Sequence, residues 1–275
     1  MTSTTRLTIL GAGRVGKTLG RVLHLQGAAT IADVLNGTLR SAQRAADFIG
    51  AGRPIATIGE LRPATIFLLA VPDDQIPTSS AQLAASGLAG PGSVVFHCSG
   101  ALGSDVLHAV AATGAAVASI HPIRSFADPE IVAASFSGTC CGVEGDAAAM
   151  TLLTPLLQTI GARLIPIRPD AKTLYHAAAV FASNYLVSVL AVAQQAYEAA
   201  GIPADVALEL LTPLARETAE NVFRLGPAAA LTGPIARGDV ATVARQLKAV
   251  QHWDSAYGTL YEQLAAATTR LASTR

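Results

Sequence analysis

Residues 7–20 read LTILGAGRVGKTLG, and two phosphate-binding patterns overlap within them. Gly11, Gly13 and Gly16 spell G-x-G-x-x-G, the dinucleotide fingerprint. Gly11, Gly16, Lys17 and Thr18 spell G-x-x-x-x-G-K-[ST], which holds a nucleoside triphosphate with Mg²⁺. In the first pattern the glycines permit a tight turn, close approach of backbone to a pyrophosphate, and packing of helix on strand. The second pattern needs an acid closing another apolar strand to hold the metal. The best candidate, Asp73, is pushed past the strand TIFLLAV by Pro72. The dinucleotide reading is therefore the stronger, and it makes Lys17 and Thr18 ordinary residues of the first helix. Cofactor contacts are then expected from Gly11, Gly13, Arg14, Val15 and Gly16, and from Asn36, Thr38 and Arg40 where the adenosine ribose would lie. An acid at that position would bond a ribose 2′-OH and repel a 2′-phosphate; Asn36 is neutral, which favours NADP and leaves NAD possible.

A second set of residues could move protons. Lys172 and His176 are four apart in PDAKTLYHAAAVFASNYLV, so on a helix they share a face about 6 Å apart along the axis. A lysine in a first turn opposes the helix dipole, and burial acts the same way; both lower its pKa toward the range useful for acid/base work. The alternative reading is a solvated lysine and a satisfied buried histidine. Two loops after strands add candidates: Ser99 in FHCSGALGSD, and His121 with Arg124 in SIHPIRSFADP. Ser99 and His121 are expected to orient the reacting atom. Val71, Pro72 and Ser99 are expected beside the nicotinamide. Arg124, Asn184 and Arg237 are expected to bind substrate, the arginines as anion clamps. The alternatives are a surface pair for Arg124, a helix-packing bond for Asn184, and a Gly-Pro turn with an Asp239 helix cap around Arg237. His97 falls inside its strand and reads as structural. No metal site is expected.

The elements needed to hold these residues are legible in outline. Short β-branched runs recur at RLTIL, ATIADVL, TIFLLAV, SVVFH, AAVASI, GTCCGV and ARLIPI. Stretches with helical spacing separate most of them, at 14–26, 41–49, 101–112 and 146–160. Continuous apolar strands alternating with helices imply a mainly parallel sheet covered on both faces. After IPIRPD no strand is expected; Asp170 is a candidate helix N-cap, and helices follow, broken at Gly201-Ile-Pro203, Gly226-Pro227 and Gly233-Pro234. The expectation is an α/β fold: a Rossmann-like domain over residues 1–167 and a smaller all-helical domain over 168–275.

Composition narrows the function. The net charge of +0 gives no electrostatic pull toward nucleic acid or anionic lipid. The amino end leads straight into an apolar strand, with no leader recognisable. Cys98, Cys140 and Cys141 form no disulfide framework and read as strand residues of a reduced, cytoplasmic protein. The run AAAVFASNYLVSVLAVA (177–193) imitates a membrane span. It is short, contains Ser183, Asn184 and Ser188, and is expected instead to be a fully buried helix.

The motifs LGAGRVGKTLG, AVPDDQI, HCSGALGSDVL, SIHPIRSFADP, KTLYHAAAVFASNYL and LTGPIARGD together resemble a family of oxidoreductases that joins a Rossmann-like domain to a helical domain of unknown function, DUF2520. That family is similar to the 6-phosphogluconate dehydrogenase-like superfamily, with its β-hydroxyacid, ketopantoate and pyrroline-5-carboxylate reductases. Many of those begin the interdomain helix with Lys-x-x-x-Asn, whose lysine is the acid/base; this chain keeps Lys172 and has His176 for the asparagine. SIHPIRS resembles the Gly-x-His-Pro loop of prephenate dehydrogenases, whose histidine contacts substrate, and that match falls on His121. The resemblance implies a homodimer through the helical domain.

The expected function is an NADP-preferring oxidoreductase moving hydride to or from a carbonyl or imine carbon of a small, carboxylate-bearing metabolite. Two rivals stand beside it: a non-catalytic NADP(H)-binding sensor or scaffold, and a P-loop nucleotidase. A deazaflavin-type cofactor working with NADP is a variant. No nucleic-acid or membrane partner is expected.

Overall fold

The computed structural model describes residues 5–274. The chain divides into two compact units, 1–180 and 181–275. The first carries eight strands: β1 (Arg6–Leu10), β2 (Thr30–Leu35), β3 (Arg53–Ile55), β4 (Ile66–Leu69), β5 (Val94–His97), β6 (Ala116–Pro122), β7 (Cys140–Gly145) and β8 (Arg163–Pro166). They form one sheet in the order β3-β2-β1-β4-β5-β6-β7-β8. Pairing is parallel except between β6 and β7. The order reverses between β1 and β4, and ligands in such sheets bind outside the strand ends at that crevice.

Helices α1 (Arg14–Leu25), α2 (Leu39–Ile49), α3 (Ile76–Ala85), α4 (His108–Ala111), α5 (Pro129–Ala134), α6 (Ala147–Thr159) and α7 (Lys172–Val180) complete this unit. Two clusters of buried side chains cover the sheet, one around Ile9, Leu23, Phe96 and Leu153, the other around Phe67, Leu69, Leu83 and Leu107. Strand β3 and helices α3 and α5 were not foreseen: β3 has three residues, and Pro77 and Pro129 stand at helix starts, where the missing N–H costs nothing. The expected helix over 101–112 shrinks to a 3₁₀ turn at Ser104–Leu107 and the single turn of α4, because the backbone from 99 to 103 is spent on a side-chain-bonded loop. Asp170 caps nothing; it pairs with Arg168.

The second unit holds α8 (Leu186–Ala199), α9 (Ala204–Leu225), α10 (Pro227–Ala230), α11 (Gly233–Ala236), α12 (Val240–Trp253) and α13 (Ser255–Ala272). Asp239 caps α12 and Asp254 caps α13. Trp253 packs on Tyr257. The fully buried helix expected over 177–193 is not what the structure shows. A π-helical stretch, Phe181–Tyr185, interrupts the run, and no residue of α8 is buried. The segment Pro169–Ala199 is long and apolar enough to cross a membrane, and none of its apolar window is buried. Among the described residues of this unit only Ala207, Leu211 and Gly258 are buried.

Candidate active site

The glycine turn after β1 decides between the two phosphate patterns. Gly11 has φ +89, and a Cβ there would lie 2.6 Å from the backbone of Ala70 and Val71. A Cβ on Gly16 would lie 2.2 Å from the Gly11 carbonyl oxygen. Gly13 by contrast faces open space. The first and third glycines are thus packing requirements, and the second leaves room for an incoming phosphate. Gly13 also precedes the first turn of α1, whose N–H groups favour an anion.

Lys17 does not reach toward this space; its ammonium lies over the Phe48 ring, 4.8 Å from the centroid. Thr18 is fully buried, and its hydroxyl donates to the Arg14 carbonyl at 2.7 Å. A triphosphate site needs both side chains free.

A cavity of about 870 Å³ opens at the ends of β1, β2 and β4, lined among others by Gly11, Gly13, Asn36, Thr57, Val71 and Pro72. Among the described residues, no acid or base belongs to its lining. Thr38 and Arg40 do not line it: Thr38 forms a capping box with Ser41 at the start of α2, and Arg40 is exposed on the helix. Arg14 is exposed and Val15 faces a second pocket. Asp33 lies inside β2, its carboxylate held by Arg53 and Arg62. Burial raises its pKa, but the hydrogen bonds from the two arginines outweigh this and leave it below the usual value.

The second pocket, about 240 Å³, is lined by Val15, Asp73, Cys98, Ser99, Gly100, His121, Pro122, Arg124, Phe126 and His176. Five predicted residues, Val15, Ser99, His121, Arg124 and His176, therefore meet here. The Ser99 hydroxyl is already committed. It donates to Asp73 Oδ2 at 2.7 Å and accepts from the N–H groups of Ala101 and Leu102. Its one hydrogen is given to the Asp73 carboxylate. Arg124 is likewise engaged: Nη1 donates to the Ser135 carbonyl and to Thr139 Oγ1, and Nη2 to Ser135 Oγ. Its guanidinium stitches the β6–α5 loop to β7 before it can clamp anything.

Lys172 is buried behind the pocket. Its ammonium donates to Ser119 Oγ and to the Ser99 carbonyl at 3.3 Å, and stands 3.7 Å from Glu144 Oε1. Burial lowers its pKa, and Glu144 opposes the shift. Glu144, also buried, accepts from the N–H and hydroxyl of Ser104, both at 2.7 Å. Lys172, expected from the sequence to exchange a proton with substrate, is not in the lining of this pocket. The helical spacing placed Lys172 on the correct element; the burial follows from the glutamate waiting in β7.

His121 sits at the end of β6, its Nδ1 2.9 Å from the Tyr175 hydroxyl and its ring 5.3 Å from that of His176. Burial, helped by His176 and Lys172, pushes its pKa down to about 4, so it is neutral at pH 7. His176 Nδ1 is buried without a hydrogen-bond partner. Both imidazoles press on Gly100, where a Cβ would lie 2.2 Å from His176 Nδ1 and 2.9 Å from His121 Nε2. His97 is structural, as read: Nδ1 accepts from the Ser99 N–H and Nε2 faces the Gly103 carbonyl. Its pKa is lowered by burial. The three cysteines are free. Asn184 and Arg237 belong to the second unit, where both are exposed.

Sequence reasoning missed Asp73 as a site residue, weighing it only as a metal ligand, and missed Ser119, Glu144 and Tyr175. A glutamate inside the apolar run CCGVEG was the available signal, since such a residue needs a buried cation.

Residues 2–122 match the family model of the Rossmann-like domain, and residues 139–268 that of DUF2520, a domain of unknown function. A comparison with curated proteins finds no match. Among solved structures, the chain is similar to a protein assigned as an NADP oxidoreductase, BF3122 from Bacteroides fragilis, with TM-score 0.80 and 22% identity over 97% of this chain and 98% of that one. Protein TM1727 from Thermotoga maritima is similar with TM-score 0.75 and 25% identity, over 98% of each chain. A 1-pyrroline-5-carboxylate reductase from Streptococcus pyogenes has TM-score 0.64 and 13% identity, over 96% of this chain and 98% of that one.

Proposed function

This chain joins a Rossmann-like domain to a DUF2520 domain, and we propose that it is an NADP-preferring oxidoreductase acting on a carbonyl or imine carbon of a small metabolite. The observation that carries the reading is the glycine cradle: Gly11 and Gly16 have no room for a side chain, Gly13 faces open space, and a cavity begins there at the strand-order reversal. These residues fit a dinucleotide. Gly11 and Gly13 would hold its pyrophosphate, Asn36 its ribose, and Val71 and Pro72 its far end. When bound it supplies or accepts the hydride. NADP is favoured over NAD by the neutral Asn36.

The remaining chemistry falls to the second pocket. His121, neutral at pH 7, hydrogen-bonds the substrate heteroatom. Asp73, fixed by Ser99, offers its other oxygen to a donor on the substrate. The Lys172–Glu144 pair behind the wall holds Ser99 and Ser119 in place through the Ser99 carbonyl and Ser119 hydroxyl. His176 lies beside His121, with its buried Nδ1 turned against Gly100.

A homodimer through the helical unit is part of the same proposal. Phe223, Val240, Leu214 and Leu208 are all more than half exposed, and a second copy would cover such side chains. Light scattering should give twice the chain mass. The proposed compartment is the cytoplasm, which suits three free cysteines.

The test is turnover: NADPH oxidation with a panel of small keto acids and cyclic imines. Tight NADPH binding with no turnover on the whole panel would favour a cofactor sensor instead.

A further inference from the structure

The pocket's histidine has two nitrogens, and which one carries the hydrogen decides what kind of substrate atom it can meet. On one side of His121, Nδ1 lies 2.9 Å from the Tyr175 hydroxyl. On the other side, Nε2 lies against Gly100, a residue of the pocket wall. The tyrosine is not free to turn. A Cβ on Gly142 in β7 would lie 2.3 Å from its oxygen. Only a glycine lets the phenol approach the strand so closely.

We propose that Tyr175 is a positioning residue that fixes His121 in the tautomer with hydrogen on Nε2, so that the pocket receives an N–H donor; the inference rests on that pocket being the reacting site. The only acceptor the phenol hydrogen meets among the described residues is His121 Nδ1, so that hydrogen points there. Nδ1 accepts it, and the ring's single hydrogen is left on Nε2. The opposite tautomer would direct Nδ1–H at the phenol oxygen. It would leave the phenol hydrogen with no acceptor among the described residues and present a bare lone pair to the pocket.

The surrounding charges agree with a neutral ring. His176 and Lys172 face His121 from α7 and disfavour a cation there, while Asp73 from the β4–α3 loop acts weakly the other way. Burial raises the Tyr175 pKa to about 12, so the phenol keeps its hydrogen throughout the physiological range.

The consequence concerns the substrate. A donor at Nε2 meets an acceptor: a carbonyl oxygen, or an imine nitrogen with its lone pair. An ammonium or a protonated imine would bring hydrogen against hydrogen. Neutral imidazole acting as a hydrogen-bond donor polarises the double bond without first surrendering a full proton.

The experiment is a two-bond ¹H–¹⁵N correlation spectrum of the histidines in the full chain at pH 7.5, with His121 assigned from His121→Gln. The expected pattern has a protonated Nε2 and an unprotonated Nδ1 for His121. Tyr175→Phe should collapse it toward a mixture of tautomers, and Gly142→Ala, which displaces the phenol, should do the same. A protonated Nδ1 in the unaltered protein overturns the proposal, and so does a pattern unchanged in Tyr175→Phe. Cofactor titration of the same samples separates the two readings: failure to bind NADPH would count against the oxidoreductase and leave the tautomer result standing.

Discussion

Lowering the pH should destabilise the first unit through His121 in particular. The folded ring has a pKa of about 4 against an ordinary 6.5. Between those values the unfolded chain binds the proton and the folded chain does not. Stability is therefore full above about pH 6.5, falls as pH drops toward 4, and falls no further through this group below that. From pH 7 to pH 4.5 the linkage amounts to about 2.4 kcal/mol at most. The ring is partly exposed, so solvent screening reduces this to roughly half, about 1.2 kcal/mol. For a protein of this size that is a fall in Tm of about 2–5 °C. Other groups titrate over the same range, so the informative quantity is a double difference. His121→Gln cannot titrate, and its Tm should fall less than that of the unaltered protein between pH 7 and pH 4.5, by that amount. Equal falls in the two proteins would refute the claim that burial holds this imidazole neutral.

Three substitutions test the rest of the geometry. Gly16→Ala places a methyl 2.2 Å from the Gly11 oxygen and should cost about 1–3 kcal/mol of stability and abolish NADPH fluorescence enhancement. Glu144→Gln leaves the buried Lys172 ammonium without its carboxylate and should cost about 3–5 kcal/mol, read by denaturant unfolding, less whatever Lys172 recovers by losing its proton. Gly100→Ala drives a methyl into both imidazoles; turnover should drop about 100-fold while NADPH affinity, set in the other cavity, changes little.

The strand pattern was readable because parallel strands buried on both faces are continuous apolar runs, and TIFLLAV and SVVFH become β4 and β5. The glycine motif was readable because its spacing follows from the turn it makes. What escaped depends on contacts distant in sequence. Nothing local to Lys172 announces that Glu144 and Ser119 enclose it, and nothing local to Ser99 announces Asp73. The apolar run at 177–193 was assigned to a core because a lone chain hides such surface; its exposure shows that hydropathy fixes the need for a covering and leaves its identity open.

The measurement that bears most directly on the account is a titration of the purified protein with NADPH, NADH and Mg²⁺-ATP, followed by nicotinamide fluorescence. NADPH should bind, more tightly than NADH, and Mg²⁺-ATP should not compete. Binding of Mg²⁺-ATP with no response to either nicotinamide would contradict the reading of GAGRVGKT as a dinucleotide turn, and the roles given to His121 and Asp73 would fall with it.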